Sequence, residues 1–157
     1  MKTIAALALG SMIAAAQDPV KVAGNQYKLI TENENVRILE ANLAAGSKTA
    51  MHSHPALMAV VLQPSVTKWT MPDGKSEQSA ADVKRGSVIY MAGQSHISEN
   101  TGKAATKAIL VEFKKPAPAA ARARKAPDMP DCKIIADSPH ATAQLLHQRT
   151  GFPRSFA

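Results

Sequence analysis

Residues 46–54 read GSKTAMHSH, which sets His52 and His54 two positions apart in a segment of β-type sequence. Successive side chains of a β-strand point to opposite faces, so both imidazoles are predicted to project from the same face. They are about 6 to 7 Å apart along the strand, from a rise of about 3.3 Å per residue, and can lean together onto one ion. A typical catalytic metal shell needs a third protein ligand as well.

The third ligand is predicted in residues 86–100, which read GSVIYMAGQSHISEN. His96 follows a run of β-type residues and the turn residues Ala92, Gly93 and Gln94. His52, His54 and His96 are therefore the candidate ligands of a divalent metal ion. The ion stays open among Fe, Zn, Cu, Mn and Ni, because ligand type alone does not select one of them.

The glycine and histidine spacing of these two stretches resembles the two sequence motifs of the cupin superfamily. The first has a glycine, five residues and His-x-His; the second continues from Gly86 through Gly93 and His96 to Asn100. The resemblance covers roughly residues 20–113, and two motifs in the right order are more specific than one. It implies an all-β fold, the double-stranded β-helix or jelly-roll barrel, and a possible homodimer.

The chain departs from the cupin motifs at two places. The glutamate expected after three or four intervening residues beyond the second histidine is missing, because Met58 and Ala59 occupy those positions, and a proline of the second motif is replaced by Met91. Three neutral imidazoles leave the charge of a divalent ion uncompensated. The open coordination positions are therefore predicted to favour an anionic small molecule.

Short apolar segments separated by turns also predict an all-β domain of seven or eight strands over residues 17–113. Pro72, Asp73 and Gly74 form a turn sequence, because proline presets φ and glycine tolerates positive φ, so a hairpin is predicted there. The predicted strands are 27–31, 36–43, 48–54, 57–62, 66–71, 76–83, 86–91 and 105–113.

Residues 1–16 are predicted to be a signal peptide rather than part of the fold. Lys2 precedes a run of 13 apolar residues that ends in three alanines, a pattern typical of export. The run is shorter than the roughly 18 residues of a spanning helix, which makes a retained membrane anchor the weaker alternative. The predicted location is periplasmic or secreted, and a single cysteine, Cys132, excludes an intrachain disulfide.

The remaining residues divide into a Pro/Ala-rich basic linker, 114–131, and a mostly irregular tail, 132–157. Residues 1–113 carry a net charge of +2 and residues 114–157 a net charge of +5. No aromatic residues interleave with the basic ones of the linker, so no nucleic-acid partner is expected. Residues 132–151 align with 27–46 at a constant offset of 105, so the tail is interpreted alternatively as the truncated start of a second cupin unit. His140 and His147 are predicted to be solvated tail residues.

Three functions are consistent with these patterns. The first is a metal-dependent, dioxygenase-like enzyme acting on a small anionic substrate, for which the cupin resemblance supplies the precedent. The second is a non-catalytic metal or small-molecule binding module, and the third leaves the histidines metal-free and structural. No catalytic residue and no organic cofactor is assigned. Two alternatives are left open for Glu99: it contacts a ligand, binds the ion or acts as a base, or it is an exposed loop carboxylate. Two are also left open for Trp69 and Tyr90, which either line a pocket or have an ordinary packing role.

Overall fold

The computed structural model describes residues 17–79, 83–116 and 132–146. This part of the chain has one short helix, α1, at Pro19–Val22 and eleven strands. The strands are β1 (Tyr27–Glu32), β2 (Val36–Leu43), β3 (His52–His54), β4 (Leu57–Gln63), β5 (Thr67–Thr70), β6 (Ser76–Gln78), β7 (Val88–Met91), β8 (Gln94–Asn100), β9 (Thr106–Phe113), β10 (Cys132–Asp137) and β11 (Thr142–Leu146).

Two antiparallel sheets form the main domain. The larger sheet has the order β1-β2-β9-β4-β7, and the smaller sheet has the order β3-β8-β5-β6. Residues of both sheets line one internal cavity, so the sheets face each other as the two walls of a barrel. The predicted all-β jelly-roll architecture is confirmed.

Alternation along β2 and β9 builds the core between the sheets. Leu39, Ala41 and Leu43 of β2 are buried at every second position, as are Ala108 and Leu110 of β9. The two strands pair over eight residues, from Val36 opposite Phe113 to Leu43 opposite Thr106. This period of two is what a sheet with one face toward a core requires.

The predicted strands agree with the observed ones apart from their ends and one omission. The hairpin at residues 72–75 is confirmed: β5 pairs with β6, and Gly74 has φ of +82°. The third predicted strand, 48–54, is a strand only over His52–His54, preceded by an isolated bridge at Lys48. The omission is β8: no strand is predicted over residues 94–100. In the structure His96 lies within this seven-residue strand and not directly after a turn.

The tail contains a β-hairpin, β10–β11, in the part that is described. The expectation of an irregular tail therefore does not extend to residues 132–146. The prediction that His140 is a solvated tail residue is wrong, because its ring is half-buried and stacks on Phe113 at 4.8 Å between centroids. His147, the predicted signal peptide of residues 1–16 and residues 117–131 of the predicted linker lie outside the described residues.

A membrane-spanning helix would need many more residues than α1 has. Within the described residues, none of the helical structure is long and apolar enough to cross a bilayer.

Candidate metal centre

Strands β3 and β8 bring the three predicted histidines together. The two strands are antiparallel, and His52 lies directly opposite His96 in the ladder. His52 and His54 are both buried while Ser53 between them is not, so the two imidazoles share the inner face as predicted. His96 of the second motif therefore lies one strand away from His52 and His54 of the first motif.

The three imidazoles form one compact, buried cluster. Ring centroids are separated by 4.9 Å for His52 and His54, 4.8 Å for His52 and His96, and 5.4 Å for His54 and His96. One ligand nitrogen from each ring lies within 4.8 Å of the other two. All three side chains are less than 7% exposed. Three nitrogens at this separation can converge on one cation.

Hydrogen bonds fix the tautomers of His52 and His54. The Nδ1 atom of His52 lies 2.8 Å from the carbonyl oxygen of Ala50, and Nδ1 of His54 lies 2.5 Å from Oε1 of Glu112. A carbonyl and a carboxylate can only accept, so both Nδ1 atoms carry the proton. Each Nε2 atom then keeps its lone pair, as a metal ligand requires.

Two ring nitrogens in the cluster are buried without any hydrogen-bond partner among the described residues. These atoms are Nε2 of His52 and Nδ1 of His96. A buried polar atom with no partner costs about 1–3 kcal/mol, and two in contact rings are unusual for a purely structural cluster. The donor set therefore fits a metal ion.

A chain of charged groups runs from His54 to the start of α1. Glu112 is 1% exposed and binds His54 through Oε1 and Arg37 through Oε2, the latter at 2.6 Å. Nη1 of Arg37 contacts Oδ2 of Asp18 at 3.0 Å, and Oδ1 of Asp18 caps α1 by accepting from N of Val20 at 2.9 Å. Glu112 thus orients a candidate ligand and places one negative charge beside it.

Burial opposes ionisation of Glu112, but its hydrogen bonds outweigh that effect. Contacts with His54 and Arg37 lower the pKa of Glu112 below its ordinary value, so the group is a carboxylate near neutral pH. Glu112 therefore adds to the predicted site a carboxylate that the sequence analysis does not include, although Arg37 is paired with it. The sequence signal for Glu112 was available: alternation along β9 sets a charged residue on the same face as Ala108 and Leu110.

Burial also keeps two of the candidate ligands neutral. Desolvation lowers the pKa of His52 to about 4 and that of His96 to about 3, with repulsion from neighbouring imidazoles adding to the shift. Tyr27 packs against the cluster, with its ring 4.9 Å from that of His52, and burial raises its pKa to about 12. His52 and His96 are therefore uncharged imidazoles near neutral pH, beside a neutral phenol.

These lowered pKa values predict that the metal-free protein loses stability as pH falls. An unfolded histidine takes up a proton near pH 6.5, whereas the folded His52 and His96 do so only near their lowered values. Protonation of the unfolded state should lower the free energy of unfolding from about pH 6.5 downward, by up to about 1.4 kcal/mol per pH unit for each histidine. Urea unfolding at several pH values between about 7 and 5 measures this slope. A flat or rising midpoint on acidification contradicts it.

The cluster opens onto an apolar cavity of about 100 Å³ between the sheets. His54 and His96 line it, and the other polar lining residues include Ser65, Thr67, Ser79, Ser98 and Thr106. No acidic, lysine or arginine side chain from the described residues lines the cavity. Its apolar lining includes Leu43, Ala59, Val61, Trp69, Ile89 and Leu110.

The remaining candidate residues differ in whether they lie near the cavity and the histidine cluster. Trp69 lines the cavity, whereas Tyr90 does not and instead contacts His140. Glu99 lies on the opposite face of β8 from His96 and pairs with Lys48 at 3.6 Å, so it is not part of the cluster. Ala59 lines the cavity, so one position of the missing motif glutamate does face inward.

Two further residues of the second motif, Asn100 and Gly93, support the strands near the histidine cluster. Asn100 is fully buried, and its amide nitrogen donates to the carbonyls of Leu43 and Ala104 at 2.8 Å each. A Cβ on Gly93 would lie 3.3 Å from the carbonyl oxygen of His54 and 3.2 Å from N of Ala56. Glycine therefore allows the start of β8 to approach the ligand strand closely.

Comparison with solved structures gives similar folds at low sequence identity. A cupin domain from Bordetella pertussis is 22% identical, with a TM-score of 0.51, over 57% of this chain and 92% of that domain. A protein with a double-stranded β-helix domain from Klebsiella pneumoniae is 18% identical, covering 55% of this chain and 74% of its own, with a TM-score of 0.44.

A cupin family protein from Methanocaldococcus jannaschii is 15% identical, covering 55% of this chain and 77% of its own, with a TM-score of 0.44. No protein-family profile matches the sequence, and no curated protein is significantly similar to it. The architecture, the motif geometry and the Bordetella domain agree with one another. The chain therefore has the double-stranded β-helix fold of the cupins, with a candidate three-histidine metal site between its sheets.

Proposed function

We propose that this protein binds one divalent transition-metal ion through His52, His54 and His96 and receives a small molecule in the adjoining cavity. The observation that carries the proposal is the pair of buried, unpartnered ring nitrogens in a cluster of three imidazoles. A bound ion would satisfy both. It would also supply Lewis acidity at positions that the protein leaves open toward the cavity.

Elemental analysis of protein isolated from its native source tests this proposal directly. We expect close to one transition-metal ion per chain, removable by a chelator. Metal-free protein that is fully folded and does not take up Zn²⁺ or Co²⁺ would favour the structural reading of the histidines instead. The analysis also names the ion, which the ligand set leaves open among Fe, Zn, Cu, Mn and Ni.

The small molecule is proposed to carry one anionic group and an apolar body. Its anionic group would bind the ion, since Glu112 supplies only part of the compensating charge and is itself paired with Arg37. The rest of the molecule would meet an apolar wall without a charged side chain from the described residues. A second charge on the ligand would be buried without a partner, at a cost of several kcal/mol.

Butyrate and succinate form a matched pair for this preference, because the second carboxylate replaces a methyl group. We expect butyrate to perturb the visible spectrum of the Co²⁺-loaded protein at concentrations about tenfold or more below those needed with succinate. Equal binding of the two, with Co²⁺ loaded, contradicts the proposed ligand class but leaves the metal site intact.

A substitution at the cavity wall distinguishes the effect of charge on ligand binding from the effect of shape. Ala59→Glu restores a carboxylate at a motif position and should weaken butyrate binding by about tenfold to a hundredfold, because it compensates the charge of the ion. Ala59→Gln, which has the same shape and no charge, is the control. Similar losses in both variants would indicate that crowding, not charge, governs binding.

The enzyme and the binding module can be distinguished by testing the loaded protein for catalytic activity. A three-histidine shell with open positions is compatible with dioxygenase-like activity, and the Fe²⁺-loaded protein should then consume oxygen with a member of a panel of diketones, catechols and thiols. Among the described residues, no carboxylate, lysine or arginine that could act as an acid or base lines the cavity, and this favours the binding module. Oxygen uptake that requires both Fe²⁺ and His96 would decide for the enzyme.

A further inference from the structure

The histidine cluster and a pair of threonine hydroxyls lie at opposite ends of the cavity. His96 lines it from β8, and Thr67 lines it from β5, where it lies opposite Asn100, four residues after His96. Four residues of a strand span about 13 Å, at about 3.3 Å per residue. A volume of about 100 Å³ spread over this length makes the cavity narrow. Its shape therefore suits an unbranched molecule that extends from the ion toward Thr67.

The threonine pair connects the two sheets at the end of the cavity that is distant from the ion. Oγ1 of Thr67, on β5 of the smaller sheet, lies 3.1 Å from Oγ1 of Thr106, on β9 of the larger sheet. Thr67 is 5% exposed, Thr106 is half-buried, and both side chains line the cavity. The hydrogen bond between them therefore presents polar atoms to the cavity.

This pair of hydroxyls has one donor to spare. Each threonine hydroxyl carries one proton and can accept two hydrogen bonds. Whichever hydroxyl donates to the other, the second proton has no acceptor among the described residues, because neither Oγ1 atom has another partner there. An enclosed donor without an acceptor is unfavourable. An oxygen atom of a ligand at this position would supply the acceptor.

The neighbouring hydroxyl groups are already engaged. Oγ of Ser65 donates to Oδ1 of Asn100 at 3.0 Å. Oγ of Ser79 accepts from the backbone nitrogen of Thr67 at 3.0 Å and donates to the carbonyl of Ser65 at 3.5 Å. Within the described part of the lining, this end of the cavity thus offers one spare donor and no charged side chain.

A second spare donor lies near the ion. The hydroxyl of Tyr27 donates to Oγ of Ser98 at 3.3 Å, and the proton of Ser98 has no acceptor among the residues that the structure describes. Ser98 follows His96 by two residues on the same face of β8, about 6 to 7 Å along the strand. The anionic group proposed at the ion can therefore accept from Ser98, whereas the donor at the threonine pair is too far away to share that group.

We infer that the ligand is an unbranched carboxylate with a neutral carbonyl near its other end, which accepts a hydrogen bond from the hydroxyls of Thr67 and Thr106. The carboxylate end rests on the function proposed above, whereas the carbonyl end adds a second point of recognition. A neutral acceptor is favoured over a second carboxylate, because no lysine or arginine among the described residues lines the cavity to compensate a further charge.

Matched pairs of acids test this ligand class, because a carbonyl replaces one methylene group and the chain length is unchanged. The pairs are 4-oxopentanoate with pentanoate, 5-oxohexanoate with hexanoate, 6-oxoheptanoate with heptanoate and 7-oxooctanoate with octanoate. Binding to the Zn²⁺-loaded protein is followed by the fluorescence of Trp69, the single tryptophan, which lines the cavity. We expect at least one oxo acid to bind about five- to tenfold more tightly than its partner, through one additional hydrogen bond.

Valine at both threonines removes the two hydroxyls and keeps the shape of the side chains. In the double variant Thr67→Val/Thr106→Val we expect the preference for the oxo acid to fall below about twofold, with alkanoate binding retained. Thr70→Val is the matched control, since Thr70 is on the same strand, is not part of the cavity lining and has its hydroxyl bonded to Ser76. This variant should keep the preference.

The inference is overturned if every alkanoate binds the native protein as tightly as its oxo partner, a result that does not depend on the folding of a variant. It is equally overturned by a preference that survives in the double variant or is lost with Thr70→Val. Failure of the proposed function gives a different result, because neither Zn²⁺ nor any of the alkanoates would then bind.

Discussion

His52→Ala is expected to reduce metal loading from about one ion per chain to almost none. His52 is the ligand whose free Nε2 atom is buried with no partner, while its Nδ1 atom is fixed by the carbonyl of Ala50. Removing the ring leaves two imidazoles, which are too few to hold a divalent ion in competition with a chelator. Loading with Zn²⁺ or Co²⁺, dialysis and elemental analysis measure the effect.

The same result is expected for alanine at His54 or His96, because the three rings form one cluster. His140→Ala provides the matched control: it removes a half-buried histidine that stacks on Phe113, away from the cluster. Metal loading should be unchanged in that variant. Stoichiometric loading that persists in all three cluster variants would falsify the ligand assignment, and equal losses with His140→Ala would point to a general effect on folding.

Glu112→Ala is expected to lower the free energy of unfolding by about 3–5 kcal/mol. The side chain is 1% exposed and holds both His54 and Arg37, so its removal leaves the partly buried guanidinium with one carboxylate fewer and His54 without its acceptor. Chemical denaturation of the metal-free protein measures this loss.

Glu112→Gln separates the positioning role from the packing role. The amide keeps the volume and can still accept from Nδ1 of His54, but it cannot pair with the charge of Arg37. We expect a smaller loss of stability than with alanine, and metal affinity lowered by about tenfold to a hundredfold. Native affinity in a well-folded Glu112→Gln variant would show that the carboxylate is structural only.

The strands of the barrel and one pair of histidines can be predicted from the sequence because they depend on local rules. Period-two alternation determines which side chains of β2 and β9 face inward, and the His-x-His spacing sets two rings on one face. The jelly-roll arrangement and the third histidine, His96, are predicted only through the resemblance to the two cupin motifs, because the strand β8 that carries His96 is not predicted as a strand.

Other parts of the site depend on contacts between residues far apart in the chain. Glu112 meets His54 across 58 positions, and Arg37 meets Glu112 across 75, so no short-range pattern connects them. The sequence does not predict strand β8, because polar residues surround His96 and no apolar run marks the strand. Pairing with β3 and β5 makes it a strand, and that pairing is a tertiary effect.

The polar contacts from His54 through Glu112 and Arg37 to Asp18 connect the histidine cluster to the start of the described chain. This position has a practical consequence for protein production. Asp18 is next to Gln17, whose carbonyl oxygen accepts from N of Ser53, between the two histidines of β3, at 2.9 Å. A purification tag joined directly before Gln17 would therefore emerge beside the ligand strand. An oligohistidine tag at that point would compete for the ion, so recombinant material for metal titrations is better prepared with a cleavable tag at the other end.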